Sequence, residues 1–287
     1  MAEAPLTQTQ TQTQTPQPLT LVHTSSRRVT AAIGFHSFAK QPPPAGHESS
    51  LSSSSSPPER WLRPTQNVTL QFPADLDPTA GTHGLSGADR RCTLTPCAAT
   101  RDDVSILTRN GRITGLLGLP RPYQTLTADV VGVGGGFAVA VLADATRCLC
   151  VAGGTGVAPF LTMPHTGTKS LCWSLRSDDF GAVAFVLREA LLRPDEWSSV
   201  SVFVTSGEDA GGLVAEKPAA WWAATFATLR ETYPGNLHFA KRRMASEDVA
   251  SEETTGNRTV LFCGSKSLEW QIRMWTMGQA TVYVTEV

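Results

Sequence analysis

Most of the chemical signal in this 287-residue chain sits in one segment, Val151-Ala152-Gly153-Gly154-Thr155-Gly156-Val157-Ala158-Pro159. An apolar run ends in glycines, whose missing side chains let backbone N–H groups approach an anion. A helix expected to start there aims its positive end at the same anion. The spacing is Gly-x-Gly-x-x-Pro, not the Gly-x-Gly-x-x-Gly of the dinucleotide fingerprint. A tight strand-to-helix turn without a ligand fits the same residues. Gly111-Arg112-Ile113-Thr114-Gly115-Leu116-Leu117 offers N–H groups and a hydroxyl at a second helix start. That arrangement suits a phosphate or an ordinary helix cap. Arg90-Arg91-Cys92-Thr93-Leu94-Thr95 places positive charge at a strand end, and Gly132-Val133-Gly134-Gly135-Gly136-Phe137 supplies close-approach backbone. Phe262-Cys263-Gly264-Ser265 ends a strand in a thiol, which also reads as a small buried residue.

Other chemistries find little support. The six cysteines, at 92, 97, 148, 150, 172 and 263, form no Cys-x-x-Cys pair and no iron–sulfur loop. Reduced thiols are expected. His23, His36, His47, His83, His165 and His238 do not fall at metal-ligand spacing, so no metal is expected. Lys plus Arg number 24 against 25 acids, a net charge of −1 that disfavours nucleic acid as a partner. Asp144 and Arg147 interrupt the most apolar stretch, so no membrane span is expected. The N-terminus lacks the basic start and apolar block of a secretory signal. A cytoplasmic location is expected. A mitochondrial one is the second reading, because Glu3 is the single acid before residue 48.

The positioning elements follow from composition and period. Residues 1–19 carry a Thr-Gln tract and read as a disordered tail. Residues 41–59, with serines at 52–56, read as a flexible insertion. Strands are expected over 28–35, 68–72, 92–95, 104–108 and 127–133, with one short helix over 113–119. Such short strands with turn residues between them suggest a barrel or sandwich. After about residue 145 the pattern changes. Strands over 148–152, 170–174, 200–205, 237–240, 260–263 and 281–284 alternate with helices over 180–192, 219–232 and 268–277. That alternation implies a parallel sheet with crossover helices. Trp221-Trp222 reads as core packing.

The glycine loop and the order of the motifs resemble the ferredoxin–NADP reductase and cytochrome b5 reductase superfamily. The likeness runs from about residue 20 to the C-terminus. It implies a six-stranded antiparallel flavin-binding barrel over 20–145, followed by a Rossmann-like parallel-sheet NAD(P)-binding domain over 146–287. It implies FAD and NADH or NADPH as cofactors. Electrons would pass to an external haem protein, iron–sulfur protein or small molecule.

The resemblance also assigns residues. Arg90-Arg91-Cys92-Thr93 aligns with the family's Arg-x-Tyr-Ser/Thr. Arg90 would neutralise the flavin pyrophosphate, Cys92 would take the place of the ring-packing Tyr, and Thr93 would approach flavin N5; Thr95 joins the same contact set. Gly111 and Thr114 would meet phosphate, and Gly132, Gly135 and Phe137 would pass close to the flavin. Gly153, Gly154, Thr155, Gly156, Pro159 and Arg176 would hold the nicotinamide dinucleotide. Cys263 and Gly264 would flank the nicotinamide, and Glu286 would supply the C-terminal acid. Departures are plain. Val133 and Ser265 stand where the family has Pro, no aromatic closes the chain, and Pro64-Thr65-Gln66-Asn67-Val68 lacks the Gly and Tyr of Pro-Gly-Gln-Tyr-Val. Ser206-Gly207-Glu208-Asp209 would repel a 2′-phosphate and favour NADH, whereas Lys241-Arg242-Arg243 could meet one. The leading expectation is a flavin-dependent reductase. The alternative is a family-derived binding or regulatory module without turnover.

Overall fold

A computed structural model describes residues 19–41, 61–77, 88–120, 125–144, 147–164, 167–206, 217–250 and 258–285. The expected tail apart from Leu19, the expected insertion apart from Gln41, and Glu286 lie outside these residues.

The first sheet is antiparallel. Its strands are β1 (Leu19–Arg28), β2 (Ile33–Lys40), β3 (Asn67–Gln71), β4 (Arg91–Leu94), β5 (Pro96–Ala99), β6 (Asp103–Arg109) and β7 (Thr127–Gly134). They lie in the order β4-β3-β7-β1-β2-β6-β5. The two edges are halves of one segment, because only Thr95 separates β4 from β5. The bend is pinned by the Thr95 hydroxyl, which donates to Asn67 Oδ1 at 2.6 Å. One bent strand therefore pairs with β3 at one end and β6 at the other, and seven strands make six staves.

The strand expected over 28–35 is instead a hairpin. The Thr30 hydroxyl accepts from the N–H groups of Ala32 (3.2 Å) and Ile33 (3.0 Å). A side chain that bonds its own turn competes with extended pairing.

The second sheet is wholly parallel. It contains β8 (Arg147–Gly153), β9 (Thr168–Arg176), β10 (Ser199–Thr205), β11 (Leu237–Ala240), β12 (Arg258–Cys263) and β13 (Ala280–Val284), ordered β11-β10-β9-β8-β12-β13. The helices are α1 (Thr114–Leu117), α2 (Val139–Asp144), α3 (Ala158–Leu161), α4 (Gly181–Arg188), α5 (Ala219–Thr232), α6 (Ser246–Val249) and α7 (Lys266–Trp275). Cys148 through Ala152 are all buried, as befits a central strand with side chains packed on both faces. α4 stops short of the expected residue 192, and Ala190 takes a left-handed φ of 52°. No helix among the described residues is long and apolar enough to cross a membrane.

One apolar core runs through both sheets. It joins Ile33, Phe35, Leu107 and Phe137 of the first unit to Phe160, Trp173 and Phe185 of the second. Phe35 lies 4.9 Å from Phe185 and Phe137 lies 5.6 Å from Phe160, centroid to centroid. Thr65 fastens the same seam. Its φ of 66° is unusual for a β-branched residue. It is held by its N–H on the Thr162 hydroxyl (2.9 Å) and by the Phe137 N–H on its own hydroxyl (3.1 Å).

His36 is buried on β2, with Nδ1 2.7 Å from the Ser26 hydroxyl and Nε2 without a hydrogen-bond partner among the described residues. Burial, helped by His23, lowers its pKa from 6.5 to about 4. The unfolded chain therefore takes up this proton first. Its contribution to stability is whole above pH 6.5 and falls as pH drops towards 4, by up to about 1.4 kcal/mol per unit. Urea unfolding between pH 4.5 and 7.5 should show a flatter acid limb in His36→Gln than in the wild type. Equal slopes would exclude this histidine as the source.

Candidate functional site

From β8 the chain moves outward through β9, β10 and β11, then returns to the other side of β8 as β12. Crevices beyond the carboxyl ends of strands at such a reversal are the ligand sites of open α/β sheets. The ends that meet here are residues 153–156 and 263–265. A Cβ on Gly156 would stand 2.3 Å from the Cys263 carbonyl oxygen, so packing of the two strand ends demands glycine. Gly153 and Gly264 also touch closely, a Cβ on Gly264 reaching within 3.2 Å of Gly153 Cα. Gly154 differs. Its φ is +57°, and the space where a Cβ would sit is open. Its carbonyl accepts from Trp173 Nε1 at 2.8 Å, which holds the loop. Pro159 is buried in the first turn of α3, where it sets the helix start rather than lining either cleft described below.

Two clefts open from this point. The larger, about 640 Å³, is lined by Gly153, Gly154, Arg109, Arg176, Asp179, Arg243 and Trp275, among others. Arg176, expected to hold the dinucleotide, is among the residues lining this cleft. Arg109 reaches across from the first sheet to pair with the buried carboxylate of Asp179. Burial raises the Asp179 pKa, and Arg109 and Arg176 oppose that rise. Of the basic triplet, only Arg243 lines this cleft. Arg242 clamps Asp248 through two bonds of 2.6 Å, and Lys241 donates to the Ser206 hydroxyl at 2.9 Å. Residues 207–209 lie outside the described residues. Sequence reasoning missed Trp275, Arg109 and Asp179, which belong to no motif and meet only through the fold.

The smaller cleft, about 350 Å³, lies between the sheets. It is lined by Thr93, Thr95 and Thr108 from one side and Thr155, Cys263, Gly264 and Ser265 from the other. Thr93 and Cys263, 170 positions apart in the chain, therefore share one cavity. Burial pushes the Cys263 thiol pKa up, and a Thr285 hydrogen bond opposes the rise.

On the barrel side several of the expected residues make contacts within the protein. Along β4, Arg91 and Thr93 are exposed, whereas Leu94 is buried and Cys92 packs on the barrel core. Strand alternation thus turns Cys92 toward the barrel core. Arg90 donates from one terminal nitrogen to the Phe72 carbonyl at 3.1 Å, while its buried Nε has no hydrogen-bond partner among the described residues. The Thr114 hydroxyl accepts from the Gly111 N–H and donates to the Arg109 carbonyl, both at 2.7 Å. Gly111 and Thr114 form an internal cap that engages the Gly111 N–H and the Thr114 hydroxyl. Phe137 is core, stacked on Phe160. Gly135 has φ 60°, and Gly136 lies so close to Thr65 that a Cβ would meet its carbonyl oxygen at 2.4 Å. That glycine turn serves the seam between the sheets.

What remains outward is a polar face. Thr93 and Thr69 share a hydrogen bond of 2.9 Å, Gly132 stands opposite Thr69, and Arg91 donates to Gln71 at 2.7 Å. These hydroxyls and this guanidinium suit the polar edge of a flavin. The residues present fit the group through that edge.

No protein-family model matches the chain, and no curated protein matches it in sequence. Solved structures do match in fold. The flavohemoglobin of Malassezia yamatoensis, with bound FAD and heme, aligns at TM-score 0.55 and 12% identity, over 93% of this chain and 60% of that one. The CS-b5R domains of human Ncb5or, in the NAD+ form, align at 0.53 and 12%, over 94% and 71%. The cytochrome b5 reductase domain of Ulva prolifera nitrate reductase aligns at 0.52 and 10%, over 93% and 97%. The chain thus spans about 60% of the flavohemoglobin. Its fold is of the ferredoxin–NADP reductase and cytochrome b5 reductase type, with a barrel-like antiparallel sheet and a parallel sheet.

The two loop glycines should respond differently to substitution. Gly154→Ala should cost about 1 kcal/mol, from left-handed backbone alone. Gly156→Ala should cost more than about 2 kcal/mol, because the added methyl must push the ends of β8 and β12 apart. Urea denaturation of both variants checks this. Equal losses would contradict the close packing at Cys263.

Proposed function

We propose that this chain is a flavin-dependent reductase that takes hydride from NAD(P)H and passes electrons to an external acceptor. In this reading residues 20–145 form the flavin unit and 146–287 the nucleotide unit. The observation that carries it is the shared cleft of Thr93 and Cys263, beside the strand reversal that suits a dinucleotide.

The chain's own contribution is positioning and charge. Backbone N–H groups at Gly153 and Gly154 face the dinucleotide phosphates. Arg176 and Arg243 add positive charge to the same cleft, and Trp275 offers a flat wall for a base. Thr93 holds a hydroxyl at the polar edge of the flavin. Cys263 closes the nicotinamide side and excludes water. A bound flavin supplies the capacity to accept a hydride and release electrons singly. The acceptor is a haem protein, an iron–sulfur protein or a small molecule. The flavohemoglobin structure contains bound FAD and heme, and another solved structure of this fold is described as the ferredoxin reductase in carbazole 1,9a-dioxygenase. A second reading is a nucleotide-binding module without turnover, favoured by the internal bonding of Arg90 and Thr114.

Cys263→Ala and Thr93→Ala should each slow flavin reduction about tenfold, equivalent to ~1.4 kcal/mol in the barrier, with little change in melting temperature. Stopped-flow bleaching of added FAD by NADH measures the rate. Rates within twofold of wild type for both variants would remove these residues from the site. NADH should be the better donor by kcat/KM, and a tenfold ratio towards NADPH would reverse that assignment.

A further inference from the structure

We infer that a third cleft on the seam between the sheets binds an amphipathic monocarboxylate, an acid whose body is a compact apolar group such as a fused aromatic ring. This site stands apart from the reductase reading, because its cleft shares no lining residue with the two described above.

The cleft encloses about 340 Å³. The turn before β3 and the strand β5 line one side, and the segments that follow α3 and α4 line the other. Thr162, whose hydroxyl takes the Thr65 N–H at 2.9 Å, lies on its wall. An occupant therefore touches both units beside that latch. Small-molecule sites favour such junctions and combine apolar walls with a few fixed polar groups.

The apolar part comes from Leu62, Cys97 and Met163, which are buried, and from Leu161 and Leu191, which are half-buried. The charged part is lopsided. Arg63 is exposed, lines the cleft, and its guanidinium has no partner among the described residues. Arg193 makes a bond of 3.2 Å to Glu196 Oε1 and keeps further N–H donors. Lys169 lies behind the wall with its side chain wholly buried. Its Nζ stands 3.5 Å from the Met163 carbonyl, 3.4 Å from the Pro164 carbonyl and 3.8 Å from Glu196 Oε2, and all three residues line the cleft. Glu196 is the one acid among the lining residues, and Arg193 and Lys169 already share its carboxylate. Three cations thus stand against one anion, which favours an anionic ligand.

The arginines sit on closed turns. Gln66 Oε1 accepts the Arg63 N–H at 2.8 Å, and the Gln66 N–H donates to the Arg63 carbonyl at 3.3 Å. The Glu196 N–H likewise donates to the Arg193 carbonyl at 3.2 Å. A guanidinium fork matches the two oxygens of a carboxylate. The leucines and Met163 decide the rest of the ligand. A wholly polar anion such as phosphate would lose hydration there without gaining apolar contact.

The test uses the full-length chain and 2-naphthoate as the probe, with affinity measured by titration calorimetry and melting followed in parallel. The neutral 2-naphthamide, acetate and inorganic phosphate serve as comparison ligands. We expect 2-naphthoate to bind with a Kd below roughly 100 μM and to raise the melting temperature. Each comparison ligand should bind at least fivefold more weakly. Arg63→Ala and Arg193→Ala, both at exposed positions and checked for folding by melting, should each lose fivefold or more in affinity for 2-naphthoate. Arg243→Ala, which alters the larger cleft, should lose less than twofold. A Kd above that limit would overturn the assignment. So would a comparison ligand within fivefold of 2-naphthoate, or a smaller loss in either the Arg63 or the Arg193 variant. A twofold or greater loss in Arg243→Ala would place the probe in the larger cleft and overturn it too. None of these results bears on hydride transfer, so the reductase reading stands or falls separately.

Discussion

The contact on which the site depends is between backbones. Gly156 lies against the Cys263 carbonyl, and Gly153 against Gly264, where β8 and β12 end side by side. Any side chain at Gly156 would force those ends apart. Their approach creates the crevice of the strand reversal and leaves Gly154 facing open space. It also delivers Cys263 to the wall of the smaller cleft. The glycines therefore divide the work, some serving strand packing while Gly154 borders the open larger cleft.

That crevice becomes a two-sided site because the sheets share one core. Phe35 on Phe185 and Phe137 on Phe160 weld them with apolar contact, and Arg109 on Asp179 adds a polar tie at the cleft edge. A close-packed seam of this kind resists rotation of one unit against the other. Thr65 shows how much the seam demands. It holds a left-handed backbone without being glycine, because two hydrogen bonds and the approach of Gly136 over-determine it.

The two halves of the site are built to different standards. The larger cleft gathers an open glycine loop, three arginines and Trp275. On the barrel side, Arg90, Cys92, Gly111 and Thr114 each make contacts within the protein.

Much of this was legible in the residues. Alternating short strands and then strand–helix alternation announced an antiparallel unit followed by a parallel one, because periods of 2 and 3.6 are local properties. The glycine loop was legible too, since only glycine tolerates such backbone approach. What local pattern could not carry was direction and partnership. Whether Cys92 faces cleft or core depends on which face of β4 meets the barrel interior. Whether Arg90 or Thr114 is free depends on which carbonyl the fold brings within 3.1 or 2.7 Å. The hairpin at Thr30 broke an apparent strand because one hydroxyl found two N–H groups. Trp275, Arg109 and Asp179 meet in one cleft through contacts distant in sequence. The order of elements was therefore written in the sequence alone. The tertiary structure decided which polar groups remain available, because a hydrogen bond made inside the protein is withdrawn from any ligand.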